Sequence, residues 1–274
     1  PLQDLSISRK NVKWGIPLPI DKDFTLFVWI DALINYLSTI DYPNEKFKKF
    51  WPADIHVIGK DIVWHHTVIW GSILLAAGLG LPKSVFVHGF ITVDGQKISK
   101  SFGNVIDPIE LVKKYGTDSV RYYLLHEIPT FGDGDFSIKR FEERYNSDLA
   151  NGLGNLVARV LTLAAKYKIQ HTNYKADKDT LEEVKRAESN YTKDMQEFRL
   201  YEALEEIWKL IGFCDGYIER EKPWKNPKPE KVINNLLYCL SEIADLIAPF
   251  LPETSKKIKE QIKSGKGEIL FPRI

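Results

Sequence analysis

The chain changes rhythm once. Up to about Arg121, short apolar runs alternate with helix-length stretches. Residues 24–29 read as a strand leading into a helix over residues 32–37. Residues 54–58 form a short run rich in branched side chains, stopped by Gly59. A helical stretch follows over residues 61–77 and closes on Gly78 and Pro82, after which Val85-Phe86-Val87 is another strand, ending at His88-Gly89. Strand, helix, strand of these lengths predicts a right-handed crossover and a largely parallel sheet.

Beyond Gly134 the period is helical, with no convincing strand. Ser137 caps a segment that stays helical to about Lys168, and further helices are predicted over residues 180–197, 201–221 and 230–248. Residues 222–229 read as a loop, and Pro249 and Pro252 break the last long helix before a short basic one near residues 255–262. The predicted class is α/β followed by all-α, the second part an antiparallel helix bundle. The boundary falls at residues 130–135, where Gly132 and Gly134 with two aspartates make a loop, giving domains 1–130 and 131–274.

Composition narrows the picture only a little. A chain of 274 residues, 44% apolar and 27% charged, suits two ordinary globular domains. No apolar run reaches the ~20 residues that span a bilayer, and Pro1-Leu2-Gln3-Asp4 lacks the features of a secretory signal. A start on Pro1 rather than Met points either to missing upstream sequence or to processing. Cys214 and Cys239 lie far apart in helical pattern, with neither CxxC nor zinc spacing. They are expected to be buried thiols of a reduced cytoplasm, with no zinc site. A net charge of +1 means that any nucleic-acid surface is built by local patterning.

The densest motif is Asp94-Gly95-Gln96-Lys97-Ile98-Ser99-Lys100-Ser101-Phe102-Gly103-Asn104. Two lysines three residues apart, interleaved with serines and flanked by glycines, make a mobile cationic loop suited to polyphosphate charge. Asp107-Pro108 with Glu110 then starts a helix as cap, first-turn proline and capping-box glutamate. Upstream, Gly59 ends a strand and Asp61 opens a helix, the crevice position where open α/β sheets bind nucleotides. Ile62, His66 and Trp70 are spaced i, i+4, i+8 and share a stripe, with His65 beside it. Trp29, Ala32, Leu33 and Tyr36 form a matching cluster on a strand end and the first helical turns. Such stripes are usually core. Aromatics around a small apolar pocket also suit a thioether, to which the Tyr36 hydroxyl can add a weak hydrogen bond.

Lys97-Ile98-Ser99-Lys100-Ser101 resembles the KMSKS signature of class I aminoacyl-tRNA synthetases, with isoleucine for methionine. The segments around Trp29–Tyr36 and Gly59–Trp70 are similar, in order and spacing, to methionine–tRNA ligases. The resemblance implies catalytic roles for Lys97 and Lys100, and ATP contacts from Asp61, His88, Gly89, Ile91, Ser99 and Ser101 besides the lysines. It puts Trp29, Ala32, Leu33, Tyr36, Ile62, His65, His66 and Trp70 on methionine-pocket positions. His65 departs from the family's usual phenylalanine, so it either keeps the aromatic wall or adds a titrating group. The substrates implied are methionine, ATP with Mg2+, and tRNA(Met).

Class I synthetases also carry a His-Ile-Gly-His-type motif on the first crossover helix, and residues 1–51 contain none. The resemblance therefore covers the later half of a family member, the second half of a Rossmann-like catalytic domain joined to an anticodon-binding bundle. The isolated chain is expected to be inactive or nearly so in adenylate formation, its partner being a first catalytic half.

In the helical half, Asn151, Asn155 and Arg159 are again spaced i, i+4, i+8, and Trp224 stands in the Pro-Trp loop. Amides and a guanidinium can bond base edges while an aromatic stacks on one. Asparagines on a helix face are otherwise solvated, and a Pro-Trp loop often folds back as a lid. The same four positions match those where methionine–tRNA ligases read the CAU anticodon. Lys139, Arg140 and Arg144 are candidate phosphate contacts, and Arg121 either touches RNA or makes a structural ion pair. Two other readings stand beside ligation of methionine to tRNA. One is a non-catalytic tRNA-binding fragment or subunit of a split synthetase; the other is a relative activating leucine, valine or cysteine.

Overall fold

In the computed structural model, which describes residues 4–12, 14–98, 103–169 and 175–274, the chain forms two compact units, Pro1–His88 and Gly89–Ile274. The first unit opens with an antiparallel sheet of β1 (Ser8–Lys10), β2 (Pro17–Leu18) and β3 (Asp21–Leu26), ordered β1-β3-β2, with Ser8 opposite Leu26 and Pro17 opposite Thr25. The strand expected at residues 24–29 thus ends at Leu26 and is not part of a parallel sheet. Only Pro19 and Ile20 separate β2 from β3, and so short a connection permits antiparallel pairing alone. The helices α1 (Val28–Ser38) and α2 (Glu45–Phe50) follow.

The expected crossover does form between β4 (His56–Gly59) and β5 (Val85–His88), which pair in parallel with His56 opposite Val85 and Gly59 opposite His88. The helix expected over residues 61–77 is not uniform. It passes from a 3-10 turn (Lys60–Ile62) through a π-helical segment (His65–Ile69) into α3 (Trp70–Ala76). The core of this unit is Leu33 and Leu37 of α1 against Ile69, Trp70 and Leu74.

The second unit carries β6 (Ile91–Val93), β7 (Gln96–Lys97) and β8 (Gly134–Phe136), with β6 central, antiparallel to β7 and parallel to β8. β8 was not legible as a strand. Its pairing also explains why the boundary expected at residues 130–135 is not where the units divide. That loop is tied to β6 by the ladder from Ile91–Gly134 to Val93–Phe136. Between the strands lie α4 (Pro108–Tyr115) and α5 (Thr117–His126). Asp107 caps α4 by accepting from the Ile109 amide at 2.8 Å, with Pro108 in the first turn. Glu110 pairs with Lys113 at 2.7 Å instead of completing a capping box.

The segment from Ser137 breaks into α6 (Ile138–Arg144), a π-helical stretch (Tyr145–Gly154) and α7 (Asn155–Lys166). Ser137 makes no side-chain cap bond there. Gly154 is where the wide turns end, and a β-carbon there would stand 2.9 Å from the Leu149 carbonyl oxygen. The bundle continues with α8 (Lys178–Gln196), α9 (Leu200–Glu221), α10 (Pro229–Leu246) and α11 (Pro252–Ser264). Its core is continuous with that of the β6–β8 region, running from Val93 and Phe136 through Leu149 and Leu204 to Leu237 and Ile258. Arg121 is structural: its guanidinium bonds the Phe250 and Pro249 carbonyls, both at 2.7 Å, at the turn after α10. Asp118 accepts from the Thr254 amide at 2.6 Å and so satisfies an otherwise orphaned donor in the first turn of α11. Among the described residues, no helix is long and apolar enough to cross a membrane.

Candidate functional site

In the first unit the carboxyl ends of β4 and β5 bring two sequence-predicted residues together. A β-carbon at Gly59 would lie 2.9 Å from Asp61 Oδ1 and 3.8 Å from the His88 ring, so Asp61 and His88 flank the backbone where both strands end. That is the crevice where parallel α/β sheets receive ligands. Gly89 and Ile91 belong to the second unit. A side chain at Gly89 is excluded, because its β-carbon would fall 1.9 Å from the Gly132 carbonyl oxygen.

The predicted pocket residues of α1 and the π-helical segment do meet. Trp29 stacks on His65 with centroids 4.0 Å apart and 25° between planes, and stands edge-to-face with His66 at 6.1 Å and 78°. Tyr36 lies against Trp70 at 5.9 Å, and its hydroxyl is 3.0 Å from His66 Nε2. His66 Nδ1 is 2.9 Å from the Ile62 carbonyl, which can only accept, so Nδ1 carries the proton and Nε2 accepts from Tyr36. The Tyr36 hydroxyl proton is therefore committed to His66 and not available to a thioether sulfur, contrary to the sequence expectation. The stripe is also not the plain i, i+4, i+8 face expected, because the π turn inserts a residue between Ile62 and Trp70. Leu33 and Trp70 are fully buried in the core, while Ala32 and Ile62 are half-buried.

His65 keeps an aromatic contact by stacking on Trp29, and its Nδ1 is buried with no hydrogen-bond partner among the described residues. Burial lowers its pKa, helped by neighbouring His66 and opposed by Asp61. Burial likewise raises the Tyr36 phenol. Sequence reasoning missed His56. It is buried, accepts from the Trp70 indole at 3.2 Å and lies 4.3 Å from the Tyr36 ring. Its signal was present: in β4 the inward positions are His56 and Ile58, with Val57 outward. A cavity of about 850 Å³ in this unit is lined by other residues, among them Arg9, Trp14, Ile16, Phe27 and Val28.

The approach to the lysine loop is held by two further aspartates that the sequence suggested only as linker. Asp133 accepts from the Phe90 amide at 2.8 Å. Asp135 accepts from the Thr92 hydroxyl at 2.6 Å and the Gly95 amide at 2.7 Å, bonds that lower its pKa. Asp94 and Gly95, with φ of 49° and 73°, make the tight turn between β6 and β7. The Lys97 side chain, and Ser99, Lys100 and Ser101, lie outside the described residues.

In the helical part, Asn151 and Asn155 line one open cavity of about 500 Å³ together with Asn146, Arg273 and Ile274. Arg159 does not join them. Its guanidinium is held by Asp215 at 2.9 Å and Glu219 at 2.6 Å, both on α9. Trp224 stays 44% exposed while the adjoining Pro223 is buried, its carbonyl accepting from Tyr167 at 3.2 Å, so the loop does not fold its indole back as a lid. Arg140 and Arg144, expected on phosphates, both pair with the buried Glu127 carboxylate at 2.5 Å. Among the described residues no cluster of three or more His, Cys, Asp or Glu could hold a metal. Cys214 and Cys239 are buried and free.

The family model described as "tRNA synthetases class I (M)" matches residues 1–161, and that described as "Anticodon-binding domain of tRNA ligase" matches residues 177–272. A methionine–tRNA ligase of Clostridium acetobutylicum is 42% identical over 100% of this chain and 48% of its own length. This chain belongs to the methionine–tRNA ligase family. Another such ligase, from Thermotoga maritima, is 43% identical over 95% of this chain and 44% of its own length. Among solved structures, Mycobacterium tuberculosis methionyl-tRNA synthetase in complex with methionyl-adenylate superposes with a TM-score of 0.84 at 35% identity, covering 99% of this chain and 58% of that one. The apo form of the same enzyme gives 0.83 at 32% identity. The chain thus spans about half the length of the curated methionine–tRNA ligases it matches, and is a partial member of the family.

Proposed function

We propose that this chain serves ATP-dependent ligation of methionine to tRNA(Met) through methionyl-adenylate, as the later half of the catalytic machinery together with the anticodon reader. Residues 1–130 belong functionally to the catalytic part and 131–274 to the reader. The observation that carries the reading is the Trp29–His65 stack beside the Tyr36–His66–Trp70 cluster. It is an aromatic surface suited to a thioether side chain. Asp61 and His88, with Gly89, Ile91, Ser99 and Ser101, contact ATP, which arrives with Mg2+. Lys97 and Lys100 meet the charge that develops on the leaving pyrophosphate. Asn151, Asn155 and Trp224 address the anticodon loop. Arg159, neutralised by Asp215 and Glu219, acts there by shaping the helix pair. The reaction takes place in the cytoplasm.

Because the chain spans about half of its curated relatives, the whole reaction is proposed for a protein completed by a first catalytic half. Alone, the chain binds tRNA without forming adenylate. The test is titration with a CAU anticodon stem-loop and its single-base variants at two salt concentrations, beside methionine-dependent ATP–pyrophosphate exchange. Tighter binding of CAU, lost on Asn155→Ala, with no exchange by the chain alone, supports the reading. Equal, purely salt-driven binding of every loop sinks the anticodon assignment. Exchange by the isolated chain sinks the proposed division of labour.

A further inference from the structure

The segment 269–274 runs beside the π-helical turns that precede Asn155. Phe271 stands perpendicular to Tyr145 with centroids 5.9 Å apart, and a β-carbon at Gly154 would come within 3.8 Å of the Phe271 ring. Beyond this contact the backbone is gripped by one side chain. Asn146 Nδ2 donates to the Ile274 carbonyl at 2.9 Å, and the Ile274 amide donates back to Asn146 Oδ1 at 3.1 Å. This reciprocal pair uses the Asn146 amide as a peptide mimic. Between the Phe271 contact and the Asn146 clamp the chain has little freedom, and Arg273 lies between them.

Arg273 lines the same 500 Å³ cavity as Asn151 and Asn155, and among the described residues no acidic side chain does. The charges of this surface are therefore distributed differently from the sequence pattern. Arg159, the cation in register with the two asparagines, is spent on two carboxylates. Arg273 makes no ion pair or side-chain hydrogen bond among the described residues. An exposed guanidinium held beside two free amides offers a bidentate donor to an oxyanion while the amides address base edges. The π-helical stretch ends at Gly154, where an added β-carbon would come within 3.8 Å of the Phe271 ring.

We infer that Arg273 is a phosphate-binding residue for the backbone of the anticodon loop, and that Asn146 is the residue that positions it. The inference rests on the reading of Asn151 and Asn155 as anticodon contacts and adds to them the cation of the site. It gives Arg273 affinity without sequence choice, leaving the choice to the amides.

The test is titration of the full chain with the CAU stem-loop and single-base variants across a range of salt. Arg273→Ala is expected to weaken every loop alike, about five- to tenfold, and to make the slope of log K against log salt shallower by about 0.7 to 1. The preference for CAU stays intact. Arg273→Lys restores most of the slope. Asn146→Ala shows the same shallower slope, and adding Arg273→Ala to it costs no further slope, a non-additivity that mere loss of packing does not produce. Unchanged affinity and slope in Arg273→Ala, with the CAU preference still lost in Asn155→Ala, overturns the inference and leaves the anticodon reading standing. A CAU preference that survives both Asn151→Ala and Asn155→Ala removes the reading itself, and the inference goes with it.

Discussion

Tyr36 donates to His66 across 3.0 Å, and the donor is fixed by a third group, the Ile62 carbonyl that occupies His66 Nδ1 at 2.9 Å. A main-chain oxygen thereby sets the tautomer of a buried histidine and, through it, the direction of a phenol. The phenolic oxygen keeps only acceptor capacity for anything else that approaches.

This relationship predicts that long-range 1H–15N spectra at neutral pH show His66 as the Nδ1-protonated form. Tyr36→Phe leaves a buried ring nitrogen without its donor and costs about 1–3 kcal/mol in denaturant unfolding. An Nε2-protonated His66 in the parent chain contradicts the arrangement directly.

Arg159 bridges α7 to α9 through Asp215 and Glu219. Burial raises the Asp215 pKa, while Arg159 opposes the rise. A carboxyl whose folded pKa lies above its unfolded value favours the folded state below that unfolded value, and this contribution fades as pH rises toward the folded pKa. Removing Arg159 raises the folded pKa further and so deepens the loss. Arg159→Ala should cost roughly 1 kcal/mol at neutral pH, these side chains being about a third exposed, and less near pH 4. Unfolding at the two pH values checks this; a deficit larger in acid refutes it.

Period alone carried much of this fold. α8 to α11 follow a helical spacing that local propensity and packing both favour, and β4 and β5 are short branched runs bounded by glycine and proline. What period cannot carry is a change of period. Both stripes expected at i, i+4, i+8 cross a π-helical segment, one at His65–Ile69 and one at Tyr145–Gly154. The extra residue per turn shifts each face. Partners distant along the chain were equally out of reach. The acids on Arg159 lie 56 and 60 residues away, and Asp135 reaches Gly95 from 40. The clustering of Trp29, Tyr36, His65, His66 and Trp70 was legible because they come from two local segments, whereas His56 was hidden inside an ordinary strand pattern.

Asn235 is buried and holds three groups: it donates to Asp177 at 2.9 Å and to the Tyr217 hydroxyl at 2.8 Å, and it accepts from the Asp177 amide at 2.9 Å. Asp177 also caps α8 through the Thr180 amide at 3.0 Å. Burial pushes its pKa up, but the bonds from Thr180, Asn235 and Lys231 together hold it well below the ordinary carboxylate range. A depressed folded pKa gives stability above the unfolded value, lost as pH falls toward the folded one. The chain should therefore lose stability below about pH 4, and Asp177→Ala should flatten that acid limb while costing about 1 kcal/mol at neutral pH. An acid limb as steep in the variant as in the parent argues against Asp177 as its source.

Two glycines in helices should respond to alanine with opposite signs. Gly212 sits within α9 with nothing inside 4 Å of an added β-carbon. Alanine there removes backbone freedom from the unfolded chain without a clash, and should stabilise by about 0.5–1 kcal/mol. At Gly154 the added carbon meets the Leu149 carbonyl oxygen at 2.9 Å, an atom of the backbone that cannot swing aside. Accommodating it means unwinding the wide turns or moving the helix that bears Asn155, at about 1–3 kcal/mol. On the proposed anticodon reading the consequence reaches binding, because those turns set Asn151, Asn155 and the Phe271 contact relative to one another. Gly154→Ala should thus weaken the CAU stem-loop as well as the fold, whereas Gly212→Ala leaves binding unchanged. Thermal unfolding and stem-loop titration of both variants separate the two effects. Equal stabilisation by both alanines is the result incompatible with a strained π-helical turn at Gly154.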